Sequence, residues 1–249
     1  MKPLVVKHVA RYVQDNIGTF HAKRQESLNG LQLRKVLRRK NPYLFKAKNI
    51  LTAQDIVKVL LDAYLSSQEE TIFGGFLERL ALFVCEKVHG GSKSAAEGID
   101  LEFENNNTKY IVTIKSGPNW GNSGQKKDMK NNFSKAKRIL RTNAPNQKIV
   151  AICGCCYGRD NKPDKGEYQN FCGQRFWEFI SGNENLYIEI IEPLGHKAKE
   201  KSEEFVVAYA QIINKFTMEF VKDFCNEDGK INWEKLVRFN SSEKTTALS

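Results

Sequence analysis

Residues 99–116 read IDLEFENNNTKYIVTIKS, two runs of alternating apolar and polar side chains separated by the turn-rich NNNTK. Alternation with period two gives a strand one apolar and one polar face, and asparagines tolerate the left-handed backbone of a tight turn. The segment predicts a β-hairpin with strands near 99–104 and 109–116. A turn centred on Asn107 and Thr108 sets Leu101 opposite Ile114 and Phe103 opposite Val112, so that apolar side chains meet across the strands. The same register places Asp100 opposite Lys115 and Glu102 opposite Thr113 on the other face. A carboxylate thus meets an ammonium at the open end of the hairpin.

A polar hairpin face commonly does no more than lie in water. The loop after Lys115 argues for more. SGPNWGNSGQ packs three glycines, a proline and a tryptophan into ten residues and leads straight into a helix expected over about 123–142. Met129, Phe133, Ala136 and Leu140 form the apolar stripe of that helix, while residues 126–141 carry seven bases against the single acid Asp128. A one-signed face beside a carboxylate and lysine pair suits a polyanion.

Before the hairpin, FLERLALFV marks a helix at 73–88. Beyond the basic helix come a strand at 148–153, a helix at 173–181, a strand at 186–192 and a helix at 203–225. Val5, Val6, Val9, Val13 and Ile17 recur at helical spacing near the start, LQLRKVLRRK comes next, and Asn41-Pro42 is expected to stop that helix. A further helix begins after Thr52, a candidate N-cap with Asp55 three residues on. The order is mixed α/β, with two adjacent strands between helices. Neither a repeat nor a low-complexity linker interrupts it, and SSEKTTALS reads as a frayed tail.

Composition agrees with this reading. The 249 residues carry 39 Lys plus Arg against 29 Asp plus Glu, a net charge of +10, which favours a nucleic-acid partner over an acidic small molecule. A hydrophobic fraction of 41% is too high for a disordered basic tail. No apolar run reaches membrane-spanning length, and MKPLVVKHVARYVQ is charged too early for a signal peptide, so a cytoplasmic protein without a membrane partner is expected. Cys153 and Cys155 end the apolar run IVAICGCC and lack a C-x₂-C spacing, so buried strand thiols are expected there rather than a zinc site with Cys156 and Cys172. His8, His21, His89 and His196 are scattered, and no catalytic role is assigned to them.

Asp100 in GIDLEFE and Lys115 in YIVTIKSG, on adjoining strands after FLERLALFV, resemble the PD-(D/E)XK nuclease superfamily, specifically its type II restriction endonucleases. NPYLFKAKNI, GGFLERLA, KSGPNWGNS and GQRFWEFISG extend the likeness over roughly residues 41 to 195, with a looser one at EDGKINWEKL. The resemblance implies an α/β fold with a restriction-endonuclease-like core, a central mixed sheet flanked by helices. In this chain the core would cover 71–195, a helical N-terminal region 1–70 would pack on it, and a helical C-terminal region would cover 196–249. Two departures stand out: Thr113 occupies the acidic position two before the lysine, and residues 89–98, HGGSKSAAEG, show no clear first core strand.

The activity implied is Mg²⁺-dependent, site-specific hydrolysis of double-stranded DNA that leaves 5′-phosphate and 3′-hydroxyl ends. Asp100 would be the central metal ligand. Glu78 on the preceding helix would replace the missing acid, ahead of Glu102 and Asp128, and the backbone carbonyl of Ile114 would be a further ligand. Lys115 would hold the attacking water and stabilise charge on phosphorus, because an ammonium beside a carboxylate stays protonated. Gln125 would contact phosphate or Lys115, or else be a helix-start amide bonded to water. Asn119 and Asn122 would shape the DNA cleft with Lys126, while Trp120 reads as a packing anchor. In YGRDNKPDKGEYQNF, Arg159, Asn161, Lys162 and Lys165 have the types that read base edges. A palindromic site would call for a homodimer, and a cognate DNA methyltransferase would be a genetic rather than a physical partner. A structure-selective repair nuclease and a non-catalytic DNA-binding module remain the alternatives, the second because of Thr113.

Overall fold

In the computed structural model, which describes residues 2–243, the hairpin closes on Asn106 and Asn107, at φ 48° and 56°. Two successive left-handed residues are what a type I′ turn requires. Centring the turn one residue later would force β-branched Thr108 into that region, where its side chain collides with the backbone. Strand β1 (Leu101–Asn105) therefore pairs with β2 (Thr108–Lys115) through Leu101 and Val112, Glu102 and Ile111, and Phe103 and Tyr110. This corrects the expected register by two positions. A shift of two leaves every side chain on its expected face but brings Thr113, not Lys115, alongside Asp100.

Strand β2 continues in parallel register with β3 (Lys148–Cys155), which pairs in parallel with β4 (Gln169–Cys172), so the four-stranded mixed sheet runs β1-β2-β3-β4. The short, half-buried QNFC of β4 has no apolar alternation and was not anticipated. The expected strand at 186–192 is instead helical, Leu186–Glu189 followed by Ile191–Leu194. Its burial explains why: Leu186, Ile190 and Pro193 are buried at helical spacing, while Ile188 and Ile191 are exposed.

Helices cover both faces of the sheet. The apolar stripe Met129, Phe133 and Ala136 of the helix Ser123–Asn143 packs on Ile111, Ala151, Cys153 and Cys155. On the opposite face, Phe103 stacks on His89 at 4.6 Å and meets Tyr110 and Phe179. Phe176 of the helix Gln174–Ser181 lies so close over Gly154 that a Cβ there would fall 2.2 Å from its ring. An α/β sandwich of this kind is the expected restriction-endonuclease-like architecture, and about 60% of the chain is helical.

The remaining helices are Val6–Asn29, Leu33–Leu37, Pro42–Ala47, Ala53–His89, Ala198–Phe224 and Trp233–Ser241. Asn41 does not merely end a helix, because its side chain accepts the Tyr43 and Leu44 N–H groups and starts the next one with Pro42 in its first turn. Thr52 accepts the Asp55 N–H at 3.1 Å and caps a single 37-residue helix that runs through Gly74 and Gly75. The chain divides into two compact units. One comprises the segment up to Gly18 with Phe73–His196 and contains the sheet. The other, Thr19–Ile72 with the chain from Lys197, is helical around Leu33, Ile56, Leu60, Phe216, Phe220 and Phe224. Among the described residues no helix is long and apolar enough to cross a membrane. Residues 244–249 of the tail expected to fray lie outside the described residues.

The contact between Gly154 and Phe176 yields a test. Gly154→Ala forces the Phe176 ring off its position, and such overpacking costs about 1–3 kcal/mol. Urea unfolding should show that loss, and the added Phe176→Leu substitution should recover part of it.

Candidate active site

The open end of the hairpin is organised around one oxygen atom. Oδ2 of Asp100 accepts the Ile114 N–H at 2.6 Å and the Thr113 hydroxyl at 3.0 Å. The ladder explains the backbone donor. Asp100 N–H bonds to the Val112 carbonyl, whereas the Lys115 carbonyl accepts Cys156 N–H, so even positions of β2 turn their peptide groups towards β1 and odd ones towards β3. Ile114 lies just past the last backbone bond to β1. Its N–H is spent on the Asp100 carboxylate, and its carbonyl points along the same edge. Thr113 is buried, so its hydroxyl needs a partner, and Asp100 supplies one.

Glu78 joins this group from the helix Ala53–His89. A Cβ on Gly74 would lie 3.4 Å from Ser116 Cβ, so the bare glycine lets this helix approach the end of β2. One helical turn on, Glu78 occupies the same face. Burial raises its pKa first and the Asp100 charge raises it further, while Lys93, Lys115 and Arg79 act in the opposite direction. Asp100, Glu78 and Lys115 therefore share one electrostatic environment. Lys93, in the segment without a clear strand, belongs to it as well and was not singled out from sequence. That segment touches the hairpin by one isolated bridge, Ser92 with Glu102.

The Lys115 ammonium lies 4.9 Å from the centre of the Trp120 ring, a cation–π distance. Trp120 packs at the border of the core around Ile111 and Phe133, so it anchors the loop and braces the lysine at once. Asn122 and Gln125 form a reciprocal capping box, each side-chain oxygen accepting the other's backbone N–H, at 3.0 and 2.9 Å. The Gln125 amide is thus bonded to backbone at the helix start. Asn119 and Lys126 are exposed. The basic helix is partly neutralised, since Lys130 pairs with Glu167 at 3.5 Å, Lys135 with Glu97 at 3.9 Å, and Lys137 donates to the Glu167 carbonyl.

Among the residues expected to read bases, Lys165 is exposed but held by an ion pair with Asp160 at 2.9 Å. Asp160 accepts from Asn170, from Lys165 and from the Lys162 N–H, and these bonds, with Asn170 first, hold its carboxyl at about 2. Arg159 and Asn161 border a cavity of about 660 Å³ with Tyr157 and Arg175. Cys172 is buried, and burial pushes its thiol up to about 12, far from a metal-binding thiolate. Glu102 pairs with Lys109 at 3.6 Å and Asp128 is exposed, so neither is drawn into the group around Asp100.

Among the described residues no three His, Cys, Asp or Glu side chains cluster as a metal site. The donors at the hairpin mouth are two carboxylates and a backbone carbonyl. These are hard oxygen ligands, and the mutual repulsion that raises Glu78 is what a divalent cation relieves. The residues fit a magnesium-type ion.

Comparison with curated proteins gives no match. The family model described as type II restriction endonuclease EcoO109I matches residues 7–202, a span that contains the whole sheet and every group around Asp100. That span and the mixed α/β core around Asp100 agree, and the chain belongs to the type II restriction endonuclease EcoO109I family of site-specific deoxyribonucleases.

Proposed function

We propose that the protein hydrolyses phosphodiester bonds in double-stranded DNA at Asp100, Glu78 and Lys115 with Mg²⁺, leaving 5′-phosphate and 3′-hydroxyl ends. The observation that carries the reading is the Asp100 carboxylate, clamped by Thr113 and Ile114 in the field of a second carboxylate and a lysine. Asp100, Glu78 and the Ile114 carbonyl would hold the ion, which supplies Lewis-acid polarisation of the phosphate and a more acidic water. Lys115, braced by Trp120, orients the attacking water and offsets the charge that builds on the non-bridging oxygens. Thr113 contributes no charge. Its hydroxyl holds Asp100 in one orientation, and this accounts for a threonine where the superfamily expects an acid.

Arg159, Asn161, Lys162 and Lys165 remain the proposed base-reading group, and Asn119, Asn122, Gln125 and Lys126 the proposed backbone contacts. Lys165 acts through the order it gives that loop. A homodimer would read a palindromic site, and a cognate methyltransferase would protect host DNA in the same cytoplasm.

Four outcomes are expected. Asp100→Asn and Lys115→Ala lower cleavage of unmethylated phage DNA by about 10²-fold or more, as loss of groups that stabilise transition-state charge does, and a gel-shift assay still detects the complex. EDTA abolishes the discrete fragments. Thr113→Val slows single-turnover cleavage by about 10- to 100-fold, the worth of a hydrogen bond to a charged group, and Thr113→Ser restores most of it. Loss of activity in Thr113→Ser as well would remove the hydroxyl from the mechanism.

The fourth outcome concerns Glu78. Its folded-state pKa lies above the unfolded value, so the native protein holds the proton more tightly and metal-free stability falls as pH rises from the unfolded pKa through the folded one. Glu78→Gln copies the protonated form. It therefore raises Tm in EDTA at neutral pH, leaves Tm below the carboxylate range unchanged, and removes cleavage.

A further inference from the structure

The helical unit contains a cavity of about 350 Å³ with an unusual chemical bias. One wall is the helix Leu33–Leu37 with the turn after it, which present Lys35, Arg39 and Lys40. The facing wall comes from the helix Ala53–His89, where Ala63, Tyr64, Ser67 and Gln68 lie at spacings of one helix face. Among the described residues no Asp or Glu lines the cavity. Among the described residues, Lys35, Arg39 and Lys40 form no ion pair, whereas the neighbouring Arg34 is committed to Asp223 at 2.7 Å and Arg24 to Glu69. A concave site with three uncompensated cations, two hydroxyls and two amides attracts a group that carries negative charge and several acceptor oxygens.

We propose that this cavity of the helical unit binds a phosphate of the DNA backbone, a contact additional to any made by the sheet-containing unit. The proposal rests on the reading of DNA as substrate. The size supports a diester over a free ion, since the cavity is far larger than one tetrahedral anion and accommodates an adjoining sugar against Ala63 and Tyr64. Arg39 supplies the planar, forked donor that suits phosphate oxygens, and the lysines act as point charges. A contact of this kind positions the duplex and raises affinity without reading its sequence.

The test is the salt dependence of binding to a labelled linear duplex in EDTA, followed by anisotropy over a KCl series. Each neutralised phosphate contributes about 0.9 to the slope of log K against log salt. The variant Lys35→Gln/Arg39→Gln/Lys40→Gln should lower the magnitude of that slope by about 1, equally on unrelated duplexes. Ser67→Glu, on the exposed face of the opposite wall, places a carboxylate in the cavity and should weaken binding by at least tenfold with an unchanged circular dichroism spectrum. An unaltered slope in the triple variant overturns the proposal, even where the wild-type protein cuts DNA and so leaves the nuclease reading standing. Saturation of the cavity by pyrophosphate with the DNA slope unaltered overturns it too, in favour of a small phosphorylated ligand. A wild-type protein that neither binds nor cuts DNA overturns both readings.

Discussion

The pair of hydrogen bonds that Ile114 and Thr113 donate to Asp100 is the constraint on which the site depends. It exists only in the register set by the left-handed pair Asn106 and Asn107. A slip of one residue would turn Asp100 to the other face of the sheet, and a slip of two would set it against Lys115 and take it away from the Thr113 hydroxyl. The turn thus sets the position of the carboxylate about six residues away. Rigidity comes from the neighbours, because β2 is paired on both edges and carries a helix on each face.

The electrostatics arise from that arrangement. With a neutral threonine at position 113, the second carboxylate comes from a helix, and burial together with Asp100 makes Glu78 reluctant to ionise. Two carboxylates in one partly buried environment work against the folded protein at neutral pH, and the proposed cation would offset that cost. Lysines 93 and 115 temper the repulsion. The chain thereby keeps two acids and two ammonium groups together without a net excess of like charge at the hairpin mouth.

Net charge is distributed less simply than composition suggests. In the basic helix after Trp120, several lysines are tied to Glu97 and Glu167, and in the loop after Tyr157 the carboxylate of Asp160 gathers Lys165 and Asn170 into a fixed turn. The cations around the cavity of the helical unit have no such partners among the described residues. A one-signed stretch of sequence is therefore a poor guide to where positive potential survives folding, since acids distant in sequence decide it.

Sequence alone determined the hairpin, the faces of its strands and the apolar stripe of the basic helix, because each rests on short-range periodicity that side-chain sterics impose. It also pointed to Glu78 through its place on an amphipathic helix. The tertiary structure decided what periodicity cannot express. The segment at 186–194 is helical because Leu186, Ile190 and Pro193 are the residues that find a core, and QNFC becomes a strand because β3 offers it an open edge. Thr113 changes from a missing acid into the clamp on Asp100, and Lys93 enters the site, because both effects arise from through-space neighbours many residues apart in the chain.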